Sequence, residues 1–441
     1  MSALPSNSAA PLPPFTRRDF LKAGAAISAL PLIGSVTPAF AAGSDRIKIG
    51  LVGCGGRGIG AVRNCVAADP SVQLVALGDA FADRIDAALK DFTEGVKGTA
   101  PKPPLAADQF SVPRERCFTG FDAFQQVINS GIDLLLLATP PHFRPQHLKA
   151  AFEKGLHVFA EKPVAVDPAG AKLVMQLADL AAQKKLAFVT GTQRRHSVDY
   201  LETMARIKDG AIGDLVGGQC YWLQGALWHR GRPAEWSEME YQMRNWLYFT
   251  WLSGDHIVEQ HVHNIDIMNW AFGGPPVKAL GMGGRQSRTD PKYGNAWDHF
   301  SIEFEYANGA RVQSFCRQVA GTASRVSERL VGTRGIADPS GKITGEKPWE
   351  FAGKKEMKNP YDVEHVDLIR SIREGKPLNE GHQIAETTLT AILGRVSAYT
   401  GREVSYQWLL GASKLDLTPP AYAWGPAPAV EIAVPGITPL V

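Results

Sequence analysis

Short apolar runs alternate with amphipathic stretches along the chain from residue 46 onward. The apolar runs are typical of buried strands, and the stretches between them carry apolar residues at helical spacing. The predicted strands are 46–52, Val72–Leu77, Leu134–Ala138, His157–Ala160 and Leu186–Val189, and the predicted helices are Ile59–Ala67, Phe121–Asn129 and His147–Lys154. Strands alternating with helices predict an α/β domain on a doubly wound parallel sheet. Glycines and prolines interrupt the pattern over residues 90–117, where we expect a long surface insertion.

The second half of the chain changes to a strand-rich pattern, in which several runs alternate apolar and polar residues. These runs are Gly217–Leu223, Val277–Met282, His299–Tyr306, Arg311–Arg317 and Ser327–Gly332, and two helices are predicted over Tyr361–Glu374 and His382–Thr400. We therefore expect a first domain over residues 46–165 and a second, α+β domain over residues 166–412. Residues 413–441 contain six prolines, which predict an extended tail rather than a packed element.

The first 41 residues have the features of an export signal. Arg17 and Arg18 precede Phe-Leu-Lys, an apolar stretch follows over residues 23–36, and Ala39-Phe40-Ala41 forms a small-x-small cleavage site. The apolar stretch is shorter than the roughly 20 residues that a membrane-spanning helix needs. The segment resembles a twin-arginine signal. That resemblance implies export of the folded protein by the twin-arginine translocase, to the periplasm or otherwise out of the cytoplasm, with no membrane insertion once the signal is removed.

The amino-acid composition and the net charge exclude several classes of protein. Hydrophobic residues make up 44% of the chain and charged residues 21%, which excludes a fibrous or mostly disordered protein. Five widely spaced cysteines without a C-x-x-C pair exclude a disulfide scaffold. The formal net charge of +3 lacks the broad basic field that nucleic acid requires, so we expect no nucleic-acid partner.

A dinucleotide-binding fingerprint lies between the first predicted strand and the first predicted helix. Residues 53–58 supply G-x-G-x-x-G, and Asp79 ends the second strand about 20 residues later, as this fingerprint requires. The cofactor-binding residues predicted here are Gly53, Gly55, Gly56, Arg57, Gly58 and Asp79. Asp79 can accept hydrogen bonds from both ribose hydroxyls and would repel a 2′-phosphate. We therefore expect NAD, with NADP as the alternative because Arg84 lies nearby.

Two further motifs follow predicted strands at the edge of the sheet where a cofactor would lie: Thr139-Pro140 and Glu161-Lys162-Pro163. The order of these motifs resembles the Gfo/Idh/MocA oxidoreductase family over roughly residues 46–400. The resemblance implies that Thr139, Pro140, Glu161 and Lys162 contact the cofactor, and that a cis peptide precedes Pro163. It also implies that Lys162 lies between nicotinamide and substrate. From the residues alone, a cation there would lower the pKa of a substrate hydroxyl, and the alternative is a surface lysine paired with Glu161.

The family's second motif, Asp-x-Gly-x-His-x-x-Asp, corresponds to residues 259–266. Glu259 takes the place of the first aspartate, His263 that of the histidine and Asp266 that of the last acid, whereas His261 replaces the glycine. Glu259 and His263 are four residues apart, so on a helix they share one face and can act as a carboxylate and a general base. We therefore predict Lys162, His263 and Glu259 as catalytic residues.

The same segment has two other interpretations. With Asp255 and His256 it contains enough ligands for a metal ion. Alternatively, its histidines are structural residues at the start of a helix. We expect an acid–base site without a metal.

An aromatic stretch precedes this motif and suits the face of a sugar. It consists of Trp222, Trp228, Trp236, Trp246, Tyr248, Phe249 and Trp251. Core packing is the alternative role for any one of these rings. We predict Arg194, His261 and Trp251 as substrate-binding residues.

The family resemblance also implies a large, mainly antiparallel sheet in the second domain, whose open face often mediates homo-oligomers, here a dimer or tetramer. The predicted function is an exported NAD(P)-dependent oxidoreductase acting on a hydroxyl of a sugar, polyol or glycoside, with the cofactor tightly bound. The alternative is an NAD-dependent glycoside hydrolase that oxidises the sugar transiently, eliminates the aglycone and reduces the product again. A third hypothesis is a non-catalytic sugar sensor that keeps NAD for structure, but the presence of Lys162 and His263 disfavours it.

Overall fold

The computed structural model describes residues 46–98 and 100–441, so the predicted export signal at residues 1–41 lies outside the described residues. The described residues form two β-sheets, a six-stranded sheet in the first part of the chain and a nine-stranded sheet in the second part. Helices cover both faces of the first sheet and one face of the second. The functional site is built where loops of the first sheet meet a helical segment that follows the first strand of the second sheet.

All six strands of the first sheet run parallel, in the order β3-β2-β1-β4-β5-β6. The strands are β1 (Ile47–Val52), β2 (Val72–Asp79), β3 (Cys117–Thr119), β4 (Leu134–Leu137), β5 (His157–Ala160) and β6 (Phe188–Thr190). This order is that of a Rossmann domain, and it confirms the predicted doubly wound sheet. Because both faces are covered, the strands are continuous apolar runs, and the four leucines of β4 have no exposed surface.

Five helices follow or connect these strands: α1 (Gly56–Ala68), α2 (Ala82–Glu94), α3 (Ala123–Ile128), α4 (Arg144–Lys154) and α5 (Pro168–Gln183). Helix α2 was not among the predicted helices, although Ile85, Ala88 and Phe92 lie at helical spacing and form its buried face. The segment predicted as a surface insertion, residues 90–117, is also partly packed. Its Phe110 pairs with Leu74 beside the sheet, because the open edge of β2 offers unpaired backbone groups.

The second sheet is antiparallel except for one parallel pair, β7 with β10. Its strands are β7 (Leu215–Gln224), β8 (Lys278–Gly284), β9 (His299–Glu305), β10 (Arg311–Gln318), β11 (Arg325–Gly332), β12 (Gly335–Asp338), β13 (Lys342–Gly345), β14 (Trp349–Glu350) and β15 (Val404–Ser405). Their order is β14-β13-β12-β11-β7-β10-β9-β8-β15. Strands β9 and β10 alternate buried and half-exposed residues, as a sheet covered on one face requires. The mainly antiparallel sheet expected in this part of the chain is confirmed.

The helices of the second part are α6 (Val198–Lys208), α7 (Glu238–Arg244), α8 (Thr250–Ser253), α9 (His256–Glu259), α10 (Val262–Phe272), α11 (Pro360–Arg373), α12 (Gly381–Thr400) and α13 (Tyr406–Gly411). Helix α12 is buried along most of its length, because it packs against the second sheet on one side and α5 on the other. Helix α11 packs against α1, and its Leu368, Ile369 and Ile372 join the apolar core around β1 and β2. None of the helices in the described part of the chain combines the length and apolar character that a membrane span requires.

Residues 412–441 contain neither helix nor strand, but they are held against the rest of the protein. The backbone N–H of Leu417 donates to Asp167, that of Gly436 donates to the carbonyl of Thr400, and the carbonyl of Gly425 accepts from Met239. Residues 412–441 therefore pack against the rest of the protein without forming a helix or a strand. The proline pattern could not indicate these partners.

Candidate dinucleotide cleft and substrate chamber

The phosphate-binding loop connects β1 to the N-terminus of α1. Gly53 has φ +97°, and a Cβ added there would lie 2.6 Å from the backbone carbon of Ala138. A Cβ on Gly58 would lie 1.9 Å from the carbonyl oxygen of Gly53, so only glycine allows α1 to approach the loop this closely. A Cβ on Gly55 or Gly56 would instead meet nothing within 4 Å. Those two residues leave open space in front of the helix N-terminus, and this fits the pyrophosphate of a dinucleotide.

Asp79 ends β2 with its carboxylate fixed beside the same loop. Its Oδ2 accepts a hydrogen bond from the backbone N–H of Cys54 at 2.7 Å, and Oδ1 accepts from that of Phe81 at 3.0 Å. Burial raises the pKa of Asp79, and the two backbone donors oppose that shift. Each oxygen keeps a free lone pair, so the carboxylate can accept the ribose hydroxyls of NAD.

A cleft of about 390 Å³ extends from these residues across the edge of the first sheet. One wall is formed by the phosphate-binding loop, Asp79 and the Thr139-Pro140 loop, and the other by residues between 228 and 246. A second cavity of about 290 Å³ lies beside it. Arg57, Ala138, Thr139, Pro140 and Trp246 line both cavities. The first cavity has the position of a dinucleotide site, and we call the second the substrate chamber.

Lys162 and Glu259 form an ion pair in the substrate chamber. Lys162 Nζ donates to the backbone carbonyl of Glu259 at 2.5 Å and to its Oε1 at 3.1 Å. The two side chains are only 12% and 11% exposed. The other carboxylate oxygen, Oε2, has no hydrogen-bond partner among residues 46–98 and 100–441. The Lys162–Pro163 peptide is cis, and it follows β5 at the edge of the sheet.

His263 lies in the same chamber and is held in its neutral form. Its ring stacks on that of Trp222, with 5.8 Å between centroids. Burial and then the positive charge of Lys162 lower the pKa of His263 well below its usual range. In the neutral form a ring nitrogen of His263 is free to accept a proton, as a general base requires, but the burial and the charge that lower the pKa also make the ring a weaker base.

The helical pairing expected for Glu259 and His263 is wrong. Glu259 is the last residue of α9, and α10 begins at Val262, so the two residues do not lie on one continuous helix. The chain breaks because the ring of His261 is drawn into the core, where its Nε2 lies 2.7 Å from the Ser314 hydroxyl. Both side chains nevertheless line the chamber. Glu259 pairs with Lys162 rather than with the histidine.

Glu161 and Arg57 form a second ion pair at the boundary of the two cavities. Arg57 Nε donates to Glu161 Oε1 at 2.8 Å, and its guanidinium lies 4.7 Å from the centre of the Tyr361 ring. Although burial opposes the shift, Arg57 and Lys162 lower the pKa of Glu161, so its carboxylate is ionised. Glu161 therefore positions Arg57 at the junction of cleft and chamber.

The three residues predicted to bind substrate do not line the substrate chamber. Arg194 is held by Glu328, His261 is fully buried, and the indole N–H of Trp251 donates to Gln242 at 2.7 Å. His261 and Trp251 are directed into the core by their polar partners, whereas Arg194 is half-buried and lies 5.9 Å from the centre of the Trp222 ring. Asp266, the last acid of the motif, likewise accepts two hydrogen bonds from Arg195.

Several chamber residues were not predicted to be there. Trp222 and Trp246 belong to the aromatic stretch that suits a sugar face, but neither was predicted as a substrate-binding residue. Arg144, Gln260 and Tyr361 also line the chamber, and no local pattern singles them out. Within the described part of the chain, no group of three or more His, Cys, Asp or Glu side chains could hold a metal ion.

Two family models match the chain in sequence. Residues 47–191 match the model described as "Oxidoreductase family, NAD-binding Rossmann fold", and residues 200–338 match the "GFO/IDH/MocA C-terminal domain".

Curated relatives are more distant. An inositol 2-dehydrogenase from Rubrobacter xylanophilus is 25% identical over 66% of this chain and 71% of that protein. A 2,7-anhydro-N-acetylneuraminate hydratase from Escherichia coli is 23% identical over 40% of this chain and 44% of its own length. A glycosyl hydrolase family 109 protein from a Shewanella species is 24% identical over 48% of this chain and 47% of its own. With several of these relatives, the chain matches about half of their length.

Solved structures share the fold. The scyllo-inositol dehydrogenase of Lactobacillus casei, with bound NAD(H) and scyllo-inositol, superposes with a TM-score of 0.60 at 18% identity, over 82% of this chain and 99% of that one. The WlbA dehydrogenase of Bordetella pertussis, in complex with NADH and UDP-GlcNAcA, gives a TM-score of 0.60 at 18% identity, over 82% and 98% of the two chains. At these identities the likeness extends to the fold alone.

Proposed function

The chain belongs to the GFO/IDH/MocA oxidoreductase family, with an NAD-binding Rossmann domain, and on that basis we propose that it is an exported NAD(P)-dependent oxidoreductase. It transfers hydride between a hydroxyl-bearing carbon of a sugar, polyol or glycoside and a tightly bound nicotinamide cofactor. The observation that carries this proposal is that the two cavities share lining residues. Lys162, Glu259 and His263 line the substrate chamber, and Thr139 and Pro140 line both that chamber and the cleft beside the phosphate-binding loop.

Each catalytic residue of the chamber has its own role in removing the proton of the substrate hydroxyl. When bound, the nicotinamide supplies the hydride acceptor. Lys162 places a positive charge and a hydrogen-bond donor where they lower the pKa of a substrate hydroxyl. The neutral ring of His263 accepts the hydroxyl proton at a ring nitrogen, and Glu259 orients Lys162 through the contact to its Oε1. The rings of Trp222 and Trp246 offer apolar walls to a sugar face.

Ring polyols and sugars are the first substrates to test. The Rubrobacter relative is named an inositol 2-dehydrogenase. The mature protein should be purified, any bound nucleotide identified by absorbance and mass, and a panel of inositols, sugars and aryl glycosides supplied. Reduction of the cofactor in proportion to added polyol or sugar is the expected result. Absence of any bound or bindable dinucleotide would exclude the proposal.

A second candidate is the NAD-dependent glycoside hydrolase. It is favoured by the free carboxylate oxygen of Glu259 beside the neutral His263, because elimination of an aglycone needs an acid and a base beyond hydride transfer. The similarity to a family 109 glycosyl hydrolase points the same way. Release of the aglycone from an aryl glycoside, without net change in the nicotinamide, distinguishes this activity from simple oxidation.

We also propose where the protein is located and how its copies assemble. Residues 1–41 resemble a twin-arginine signal, from which we infer export to the periplasm by the twin-arginine translocase after the cofactor is bound. We also infer a homo-oligomer, because large apolar side chains such as Leu280 and Met282 are exposed on the second sheet. A reporter fusion to residues 1–45, with both arginines changed to lysine as control, tests the export signal.

A further inference from the structure

The C-terminal tail crosses the outer rim of the dinucleotide cleft. We call residues 417–428 the strap. The ring of Trp424 lies 4.7 Å from that of Phe121 and 5.4 Å from that of Phe81, measured between centroids. Both phenylalanines line the cleft, and the backbone N–H of Phe81 holds the carboxylate of Asp79. Trp424 therefore packs against two rings that line the cleft in the same region as Asp79, the residue expected to bind a ribose of the dinucleotide.

Tyr422 makes the second contact of the strap with the same wall. Its hydroxyl lies 2.8 Å from Nε2 of His142, and its ring lies 5.6 Å from that of Phe143. Phe143 lines the cleft, and both residues belong to the turn that follows Thr139 and Pro140. Burial lowers the pKa of His142 to about 4, so the ring is neutral and this contact is unchanged over the physiological range.

The strap is tied to the opposite wall a few residues later. The carbonyl of Gly425 accepts from the backbone N–H of Met239 at 2.9 Å, and the carbonyl of Pro428 accepts from Gln242 Nε2 at 3.2 Å. Met239 and Gln242 lie on α7, the helix that contributes Met243 and Arg244 to the cleft. One short stretch of chain thus joins the two walls between which a dinucleotide would lie.

We propose that Trp424 and Tyr422 are positioning residues that hold the two walls of the dinucleotide cleft together and thereby slow release of the cofactor. Separation of the two walls would break the contacts of the strap, and movement of the rings of Phe81, Phe121 or Phe143 would disturb them. This inference rests on the proposed function in one respect, the retention of the cofactor between turnovers. The hydrogen bonds and ring contacts of the strap described above do not involve Lys162, Glu259 or His263, so the test measures the cofactor and not catalysis.

The test is the rate at which NADH leaves the full mature protein. Protein loaded with NADH is mixed with a large excess of NAD⁺, and the loss of NADH fluorescence under direct excitation of the nicotinamide gives the dissociation rate. Trp424→Ala removes two ring contacts and should raise that rate about 10- to 100-fold, because changes in affinity appear mainly in dissociation. Tyr422→Phe removes only the hydroxyl and should raise it a few-fold.

Two further variants separate positioning from general stability. Trp424→Phe keeps a ring against Phe121 and should restore slow release. Trp349→Ala is the matched control, because that ring contacts Arg206 and Phe351 and lines neither cavity, so release should be unchanged. Thermal unfolding of each protein without NADH shows which variants are folded.

The outcomes distinguish the two proposals, since no sugar is present in the assay. Wild-type release rates in folded Trp424→Ala and Tyr422→Phe would overturn the role of the strap and leave the proposed function intact. Failure of the wild-type protein to bind NADH would overturn both. If Trp349→Ala released NADH as fast as Trp424→Ala does, the faster release would be due to lower stability of the protein and not to the loss of strap contacts. That result would also contradict the role of the strap.

Discussion

Lys162 has two partners at residue 259, and only one of them depends on the side chain there. The backbone carbonyl of Glu259 accepts at 2.5 Å, and the carboxylate accepts at 3.1 Å. A variant at position 259 therefore keeps part of the contact that orients the lysine. A variant at position 162 removes the cation of the pair, and it leaves the carboxylate of Glu259 buried without its partner.

Lys162→Ala should lower kcat about 100- to 10,000-fold, the usual contribution of a group that assists proton transfer. The dinucleotide should stay bound, because the phosphate-binding loop and Asp79 do not depend on Lys162. Stopped-flow measurement of cofactor reduction and NADH titration report the two quantities separately. Lys149→Ala is the control, since that lysine is exposed and forms an ion pair with the likewise exposed Glu153. Turnover at the wild-type rate in Lys162→Ala would remove Lys162 from the mechanism.

The pH dependence of kcat/KM tests the role of His263. Burial and Lys162 lower the pKa of His263 well below 6.5, so the ring is already neutral in mildly acidic solution. The ring should be able to accept a proton at every pH above its lowered pKa, and the acid limb of kcat/KM should lie below pH 6.5. Assays between pH 4.5 and 9 should show this limb, and His263→Ala should lower kcat/KM about 100-fold or more. An acid limb centred at pH 6.5 or above would contradict the assignment of His263 as the general base. The control is His382→Ala, at an exposed histidine, which should leave the pH profile unchanged.

At the scale of elements, most strands could be predicted because each is determined by its own sequence. The apolar run of β4 and the alternating runs of β9 and β10 indicate buried and half-buried strands wherever they lie in the chain. The break between α9 and α10 could not be predicted in the same way. It depends on the contact of His261 with Ser314, a residue of a strand that comes much later in the chain.

In the candidate site, too, the residues that could be predicted are those whose position depends on their own strand. Residues that end a strand of the first sheet, such as Asp79 and Lys162, were predicted because parallel strands bring their carboxyl ends to one edge. Arg194 and Trp251 were misplaced because their partners, Glu328 and Gln242, lie on other elements. Tyr361 was missed because only the packing of α11 brings it to the chamber.

Helix α11 also carries a buried acid whose effect on stability can be measured. Glu364 has no exposed surface, and neither of its carboxylate oxygens has a hydrogen-bond partner among the described residues. Burial, followed by the charge of Glu161, raises the pKa of Glu364 well above 4.5. The folded protein therefore holds this proton more tightly than the unfolded chain does. The corresponding stability is present below about pH 4.5 and is lost as the pH rises through the folded-state pKa.

Glu364→Gln should therefore raise the melting temperature at pH 8, by about 1 °C for each kcal/mol gained in a compact unit that extends from Arg46 to Val441. At pH 5 the difference from wild type should be small, because the wild-type side chain is then protonated as well. Calorimetry at the two pH values provides the comparison. Glu374→Gln, at an exposed position at the end of the same helix, should shift neither temperature. Equal melting temperatures for Glu364→Gln and wild type at pH 8 would show that this acid is not held protonated.

At the scale of the whole molecule, the two sheets differ in how they are covered. The first sheet is enclosed by helices, whereas the second has α10 and α12 on one face only. On its other face Met282 is 71% exposed and Leu280 is 50% exposed, and the rings of Tyr221 and Phe315 stack 5.3 Å apart. A monomer would leave these apolar groups in water, so we expect a second copy of the chain to cover them.

The double variant Leu280→Glu and Met282→Glu tests this assembly. In a two-fold interface each substitution occurs twice, so four new carboxylates would be buried per dimer. Burying unpaired charge is costly, and the dissociation constant of the oligomer should rise at least about 100-fold. Light scattering with size-exclusion chromatography should show a smaller particle than wild type, with NADH binding retained because the cleft lies elsewhere. Ile437→Glu, at a 79% exposed position in the tail, is the matched control and should leave the mass unchanged. A double variant with the wild-type mass would place the interface on a different surface.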